Sequence, residues 1–276
     1  MQFFPNTKVG FAAYVAQTDP VWLTNGKHNN ILLYAAIVCL SLGAVLLFIG
    51  GLQTGFLPSH KFSQTLLPAT AWENITFVGD TATALAIALL FTYKHPRLTL
   101  GILFSALVGT LLIHGLKNLI DTPRPPAVFS SDVIQIIGPS FKRLSMPSGH
   151  TATAFILAGA LTQCTGKLSL KFSLIAVACL IGYSRIACGV HWPADVLMGA
   201  CLGLCSAWAG LYFSNKVSLN FFAYLFVVFL LMVSAVYLFS FDGGFESTQY
   251  TAPLIGLVCL FYFLGVWGWH IRRTTK

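Results

Sequence analysis

The sequence predicts an all-α, polytopic transmembrane bundle, and three observations carry that prediction. Of the 276 residues, 56% are hydrophobic and only 9% are charged, whereas an ordinary soluble domain has about 25% charged residues. The apolar residues collect in runs close to the ~20 residues that a helix needs to cross a bilayer. The cations are scattered between those runs, the distribution by which Lys and Arg set membrane topology. The net charge of +8 is therefore read as topological, and nucleic acid is excluded as a partner. No charged run or Ser/Pro-rich tract marks a soluble appendage and no internal repeat is visible, so residues 1–276 read as one membrane domain.

Eight spans follow in order, at 31–51, 74–93, 98–120, 150–166, 169–188, 193–214, 219–241 and 252–270. The first is an uninterrupted apolar run. The second and fourth open on polar Thr, Asp or Ser residues. After the third, Pro123 interrupts the helix that carries Lys117, so Arg124 is expected on a turn. Pro193 suits the first helical position of the sixth. Between the first two spans, 56–72 alternates apolar and polar residues. Phe62, Leu66, Leu67 and Ala71 could share one face there, as in a helix lying on the membrane surface. Spans one to six, 31–214, form a six-helix core, and 215–276 adds two C-terminal spans. The N-terminal apolar stretch Val9–Ala16 is short and has no cleavage-like end, so it lacks a signal-peptide pattern. The seven cysteines (Cys39, Cys164, Cys179, Cys188, Cys201, Cys205 and Cys259) lie in or beside apolar segments. None forms a C-x-x-C pair, and nothing beside Cys201 and Cys205 completes a metal set.

Orientation follows from the loops. With the N-terminus inside, Lys8, Lys27, Lys94, Arg97, Lys167, Lys171, Lys216, Arg272, Arg273 and Lys276 are inner, against one acid, Asp19. The outer segments hold the other six cations and seven acids. That asymmetry predicts both termini inside.

Polar residues cluster at three span ends, all outer in this topology. The first cluster is Lys117 through Arg124-Pro125, the second Pro147-Ser148-Gly149-His150, the third Ser184-Arg185, His191 and Asp195. Their chemistry is that of phosphate binding and transfer. Lys117, Arg124 and Arg185 supply three cations for a phosphate dianion, Arg with paired planar donors and Lys with a point charge. Ser148 is a good N-cap. The Gly149 and His150 amides would then lie at a helix N-terminus, where an anion is favoured. Asp195, one turn after His191, can accept from one imidazole nitrogen and free the other for attack on phosphorus. His150, with an ordinary pKa near 6.5, suits proton transfer to the leaving oxygen and later from water. Singly, each element has a plainer explanation: interfacial anchors, a capped turn, a structural His–Asp pair. Together, in this order and on one face, they point to a site, because ionisable groups near spans are costly.

The pattern K-x6-R-P, P-S-G-H, S-R-x5-H-x3-D resembles the type 2 phosphatidic acid phosphatase family at every motif position, over Lys117–Asp195. The resemblance implies a six-helix phosphatase core, with His191 as nucleophile, Asp195 as its partner and His150 as general acid. It implies phosphate contacts from Lys117, Arg124, Ser148, Gly149 and Arg185, a phosphohistidine intermediate, and neither metal nor cofactor. The expected substrate is a lipid phosphate or diphosphate in the outer leaflet: undecaprenyl pyrophosphate first, then phosphatidic acid, phosphatidylglycerol phosphate or a lipid A phosphate. Membrane lipids are the other partners. The implied location is a bacterial inner membrane with the site on its periplasmic face. The same constellation would serve a lipid phosphotransferase or a sugar-phosphate phosphatase. A transporter of anions or phospholipids would need only the cations.

Five residues outside the motif are read as well. Asp80 is a helix-start acid or support for a site cation. His114, one turn before Lys117, lines the site or bonds between helices. Lys142 and Arg143 attract an anionic head group or are solvated. Trp192 is expected at the membrane interface.

Overall fold

The computed structural model describes residues 14–15 and 30–274, with side chains through residue 268. The inner cations Lys8, Lys27, Arg272, Arg273 and Lys276, the acid Asp19 and most of Val9–Ala16 lie outside the described side chains. Among the described residues the chain is helical with no strand. The helices are α1 (Ile31–Gly50), α2 (Phe56–Leu66), α3 (Ala69–Phe77), α4 (Thr81–Ala88), α5 (Pro96–Ile120), α6 (Pro125–Val128), α7 (Gly149–Thr162), α8 (Leu168–Ala187), α9 (Pro193–Lys216), α10 (Phe221–Tyr237) and α11 (Thr248–Thr274).

Every predicted span has a helical counterpart, but three differ in form, the seventh because α10 has only 17 residues. The second is broken: α3 and the α4 segment that runs on to Phe91 meet at 58°. The break is Val78-Gly79-Asp80, where Asp80 turns extended and its carboxylate accepts the Ala82 N–H at 2.8 Å. That cap starts a new helix rather than continuing the old one. The fourth, α7, has 14 residues. At 1.5 Å per residue it rises about 21 Å, short of the ~30 Å hydrocarbon core. Most of α7 is buried in the bundle, so neighbouring helices rather than lipid set its length. Among the described residues five helices are long and apolar enough to cross a membrane, or six if the bent pair counts as one span.

The segment 56–72 is not one helix. α2 stops at Leu66, and Leu67-Pro68 separates it from α3. α2 buries Phe56, His60 and Ser63 while Phe62 and Leu66 stay exposed, an arrangement suited to lying against lipid. Ala71, which sits in α3, does not share that exposed face.

α9 is the axle of the bundle, packed against α1, α5 and α7. Small residues let the backbones approach, as they do where membrane helices pack. A Cβ added at Gly203 would fall 2.5 Å from the Ala152 carbonyl oxygen of α7, and one at Gly210 would fall 2.1 Å from Ser105 Oγ of α5. α1 meets α9 with Leu32, Ala36 and Gly43 and turns Tyr34, Ile37, Val38 and Phe48 outward. α10 and α11 pack against α4 and each other, beside the bent span.

The α5–α9 crossing leaves no room for a side chain at 210. Gly210→Val should destabilise the protein by about 1–3 kcal/mol or more, read as a lower thermal midpoint in detergent. An unchanged midpoint would refute the close crossing.

Candidate active site

α5 ends where Asp121 turns left-handed (φ 40°) and returns its N–H to the Lys117 carbonyl at 3.0 Å. This places Lys117 in the last turn and frees the chain to run extended to Arg124. The loop 141–146 then folds back over both cations. Lys117 Nζ donates to the Leu144 carbonyl at 2.9 Å. The Arg124 guanidinium donates to three carbonyls, from Nε to Arg143 at 2.9 Å, from Nη2 to Leu144 at 3.2 Å and from Nη1 to Val190 at 3.4 Å. Phe141 covers the guanidinium with its ring, 5.4 Å away. Arg143 is engaged elsewhere, in an exposed ion pair with Asp121, so its side chain is not free to act as a head-group cation.

Ser148 stands at the start of α7, but its hydroxyl does not cap the helix. It accepts from Thr151 Oγ at 2.9 Å, while the Ser148 N–H donates to the Asp195 carbonyl at 3.0 Å. The expected capping bond is thus replaced by a tie between α7 and α9. Gly149 faces open space, since an added Cβ would meet only Ile113 at 3.9 Å. Gly79, at the break between α3 and α4, packs on the His150 backbone: a Cβ there would lie 3.0 Å from the His150 carbonyl oxygen.

Arg185, in the last turn of α8, is buried. Its Nη1 donates to Thr76 Oγ of α3, and its Nε has no hydrogen-bond partner among the described residues. Asp195 is wholly buried at the start of α9. Its Oδ2 accepts from the Trp192 N–H at 2.9 Å, from His191 Nδ1 at 3.2 Å and from the Ser145 hydroxyl. With Nδ1–H given to the carboxylate, Nε2 of His191 keeps the free lone pair. Trp192 is buried too, its Nε1 donating to the Pro123 carbonyl at 2.7 Å. The expected interfacial position is corrected: Phe56 and Phe129 flank the ring in the core.

One cavity of about 330 Å³ is lined by Lys117, Arg124, Gly149, His150, Arg185 and His191, with Asp80 and His114 also on its wall. Ser148 and Asp195 lie behind it. Thus the structure brings six of the eight sequence-predicted residues to one wall and sets the other two as their supports. Burial pushes the His191 pKa well below its ordinary value, and the Arg124, Arg185 and Lys117 charges push it further. Among the described residues no three His, Cys, Asp or Glu side chains group as a metal-ligand set.

Ser145, Thr76 and His60 escaped the sequence reading. Thr76 and Ser145 act through hydrogen bonds to residues far away in sequence. His60 accepts the Gln135 N–H on Nε2 at 3.1 Å, which leaves Nδ1–H to donate to the Ile186 carbonyl at 3.0 Å. It pins the backbone beside Arg185. The only signal available was a lone His on a surface-helix pattern.

Residues 98–219 match the family described as the PAP2 superfamily, and the matched stretch contains all eight site residues. The likeness to the PAP2 superfamily covers this stretch, somewhat under half of the chain. It is 40% identical over 75 residues to the Lipid A 1-phosphatase of Porphyromonas gingivalis, covering 26% of this chain and 17% of that protein. The match therefore spans about one-sixth of the relative's length. Among solved structures, LpxE of Aquifex aeolicus is similar at 26% identity and a TM-score of 0.51, over 55% of this chain and 92% of that one. The PAP2 type phosphatidylglycerolphosphate phosphatase of Bacillus subtilis shows 22% identity and a TM-score of 0.49, over 67% and 96% of the two chains.

Two outcomes follow from the geometry. Because its pKa is lowered, His191 should stay neutral as pH falls through 6.5; ¹⁵N-histidine NMR at pH 6 should show a neutral Nδ1–H ring, and a protonated ring would contradict the site electrostatics. Removing the Ser145 donor to Asp195 should loosen the His191 ring. Ser145→Ala should lower kcat by roughly 10-fold with little change in KM, and an equal loss in both would mean that Ser145 acts otherwise.

Proposed function

We propose that this protein is a membrane lipid phosphatase that hydrolyses a lipid phosphate or diphosphate through a phosphohistidine at His191. One observation carries the reading: the Nδ1–H of His191 is held by a buried carboxylate while its ring lines a cavity shared with Lys117, Arg124, Arg185 and His150. A phosphate dianion there has a neutral nucleophile, three cations and a proton donor within one enclosure.

In this mechanism His191 Nε2 attacks phosphorus and the bond to the lipid oxygen breaks. His150 gives its proton to that oxygen, so the lipid leaves as a neutral alcohol, or as a phosphate monoester if the substrate was a diphosphate. The Asp195 carboxylate stabilises the positive charge that the His191 ring acquires. The equatorial oxygens face Lys117, Arg124 and Arg185, with the Gly149 and His150 amides at the α7 N-terminus. His150 then takes a proton from water, whose oxygen attacks the phosphohistidine. Inorganic phosphate departs and His191 returns neutral. The cations supply the charge stabilisation, so no metal is assigned a part.

The lower half of the cavity supports a lipid substrate, since Leu85, Ile102, Ala106, Ile156 and Leu157 line it. The names of the relatives support the same class. The proposed substrates are a lipid A phosphate, phosphatidic acid, phosphatidylglycerol phosphate or undecaprenyl pyrophosphate, met at the periplasmic face of a bacterial inner membrane. A phosphotransferase would share every step until a lipid hydroxyl replaced water.

His191→Ala should reduce hydrolysis by roughly 10³-fold or more, and labelled phosphate should be trapped on His191 in an acid-labile, alkali-stable form. Activity should survive EDTA. Hydrolysis that persists in His191→Ala would overturn the nucleophile assignment, and a phosphate flux untouched by that substitution would point instead to a transporter.

A further inference from the structure

The cavity changes character along its length. At the outer end are the three cations and two imidazoles, and at the inner end the aliphatic wall. Between them lies a ring of five polar residues that the phosphoryl chemistry does not use: Asp80, Thr81, Thr110, His114 and Thr153, all on the cavity wall. Thr110 and His114 are one turn apart on α5, seven and three residues before Lys117, so they lie about 5–10 Å below it along the helix. Thr153 is three residues after His150 on α7, and its hydroxyl is 3.3 Å from that of Thr81. Asp80 and Thr81 come from the α3–α4 break, which presses Gly79 against His150. The ring therefore sits on the side of His150, where the leaving oxygen and the group that bears it must lie.

Asp80 is the unusual member. An acid beside a phosphate site opposes the ligand's charge. Its Oδ1 caps α4 through Ala82, a task that Ser or Asn would perform as well. The Thr83 N–H also faces this carboxylate, which lines the cavity as well. A carboxylate and four hydroxyl or imidazole groups beside a phosphate site suit a carrier that bears hydrogen-bond donors there. They suit an alkyl or prenyl carrier poorly, because the carbon chain would strip water from these groups and return no hydrogen bond. A second phosphate would face Asp80 as a like charge.

We infer that this ring is a head-group subsite in which Asp80 accepts from a hydroxyl or amide N–H adjacent to the phosphate ester, selecting sugar- or polyol-borne lipid phosphates over prenyl diphosphates. The inference rests on the phosphatase reading and narrows its substrate class. Asp80 is a specificity residue: it touches the carrier and not the phosphorus.

The probe is a pair of single-chain lipids that differ by one hydroxyl, a 1-acyl-glycerol 3-phosphate and the matching 1-acyl-propanediol 3-phosphate, assayed in the same detergent. The full-length wild type should prefer the hydroxylated lipid by roughly 10-fold or more in kcat/KM, since a site built to bond a hydroxyl discriminates against its absence. Asp80→Ser keeps a capping hydroxyl but cannot reach the ligand, and it should cut that preference below about 3-fold. Equal kcat/KM on the two lipids in the wild type, or a preference that survives Asp80→Ser, would overturn the inference while leaving the phosphatase reading intact. Should Asp80→Ser fail to fold, Asp80→Asn takes its place and the wild-type ratio still decides. If neither lipid is hydrolysed, the ratio of their Kd values for the wild type decides in place of kcat/KM, and the phosphatase reading stands or falls on His191→Ala.

Discussion

The carboxylate of Asp195 is fully buried, and its Oδ2 gathers three donors from two stretches of chain: Ser145 from the loop before α7, His191 and Trp192 from the turn before α9. Its backbone carbonyl accepts from Ser148. An isolated buried carboxylate is expensive, and these bonds offset much of that cost. Each partner is thereby fixed in place: the imidazole tautomer, the start of α7 and the loop whose carbonyls hold Lys117 and Arg124. The site is rigid because a single charge must be satisfied by several segments at once.

This arrangement depends on close backbones beneath it. The Ser148 bond to Asp195 requires α7 to lie against α9, and a Cβ at Gly199 would fall 2.5 Å from the Ser148 carbonyl. The turn between the two C-terminal helices braces the same region from another side. Ser247 donates its N–H to Glu73 at 3.0 Å and accepts from Asn74 at 2.9 Å, both on α3. Phe245 fills the space in front of Gly138. This turn thus holds α3, which delivers Thr76 to Arg185 and leads into the break that brings Asp80 to the cavity.

Spans and motif residues were legible in the sequence because both are local. A 20-residue apolar run states its own length, and charged groups at span ends stand out against lipid. What could not be read was fixed by partners distant along the chain. Ser145 looks like any loop serine until α9 places Asp195 beside it, 50 residues on. The capping role expected of Ser148 failed because Thr151 and Asp195 offered it better bonds. The short α7 and the broken second span have the same cause: buried among helices, neither has to match the bilayer as an isolated helix would. Trp192 was expected in the interfacial belt, but the aromatic rings of Phe56 and Phe129 enclose it.

The electrostatics of the cavity are consistent with one economy of charge. Lys117, Arg124 and Arg185 repel one another across a small volume, and backbone carbonyls rather than acids hold the first two. Carbonyl dipoles fix the direction of these cations without neutralising them, so their full charge is present when a dianion arrives. The same field keeps His191 unprotonated, which a nucleophile requires. A second carboxylate beside Asp195, salt-bridged to the cations, would have aligned them equally well but raised the proton affinity of His191 further and weakened the hold on phosphate. Asp80 is the one acid tolerated on that wall, and it stands on the leaving-group side, next to Gly79 and His150. Its position makes sense if its target is the group that carries the phosphate rather than the phosphate itself.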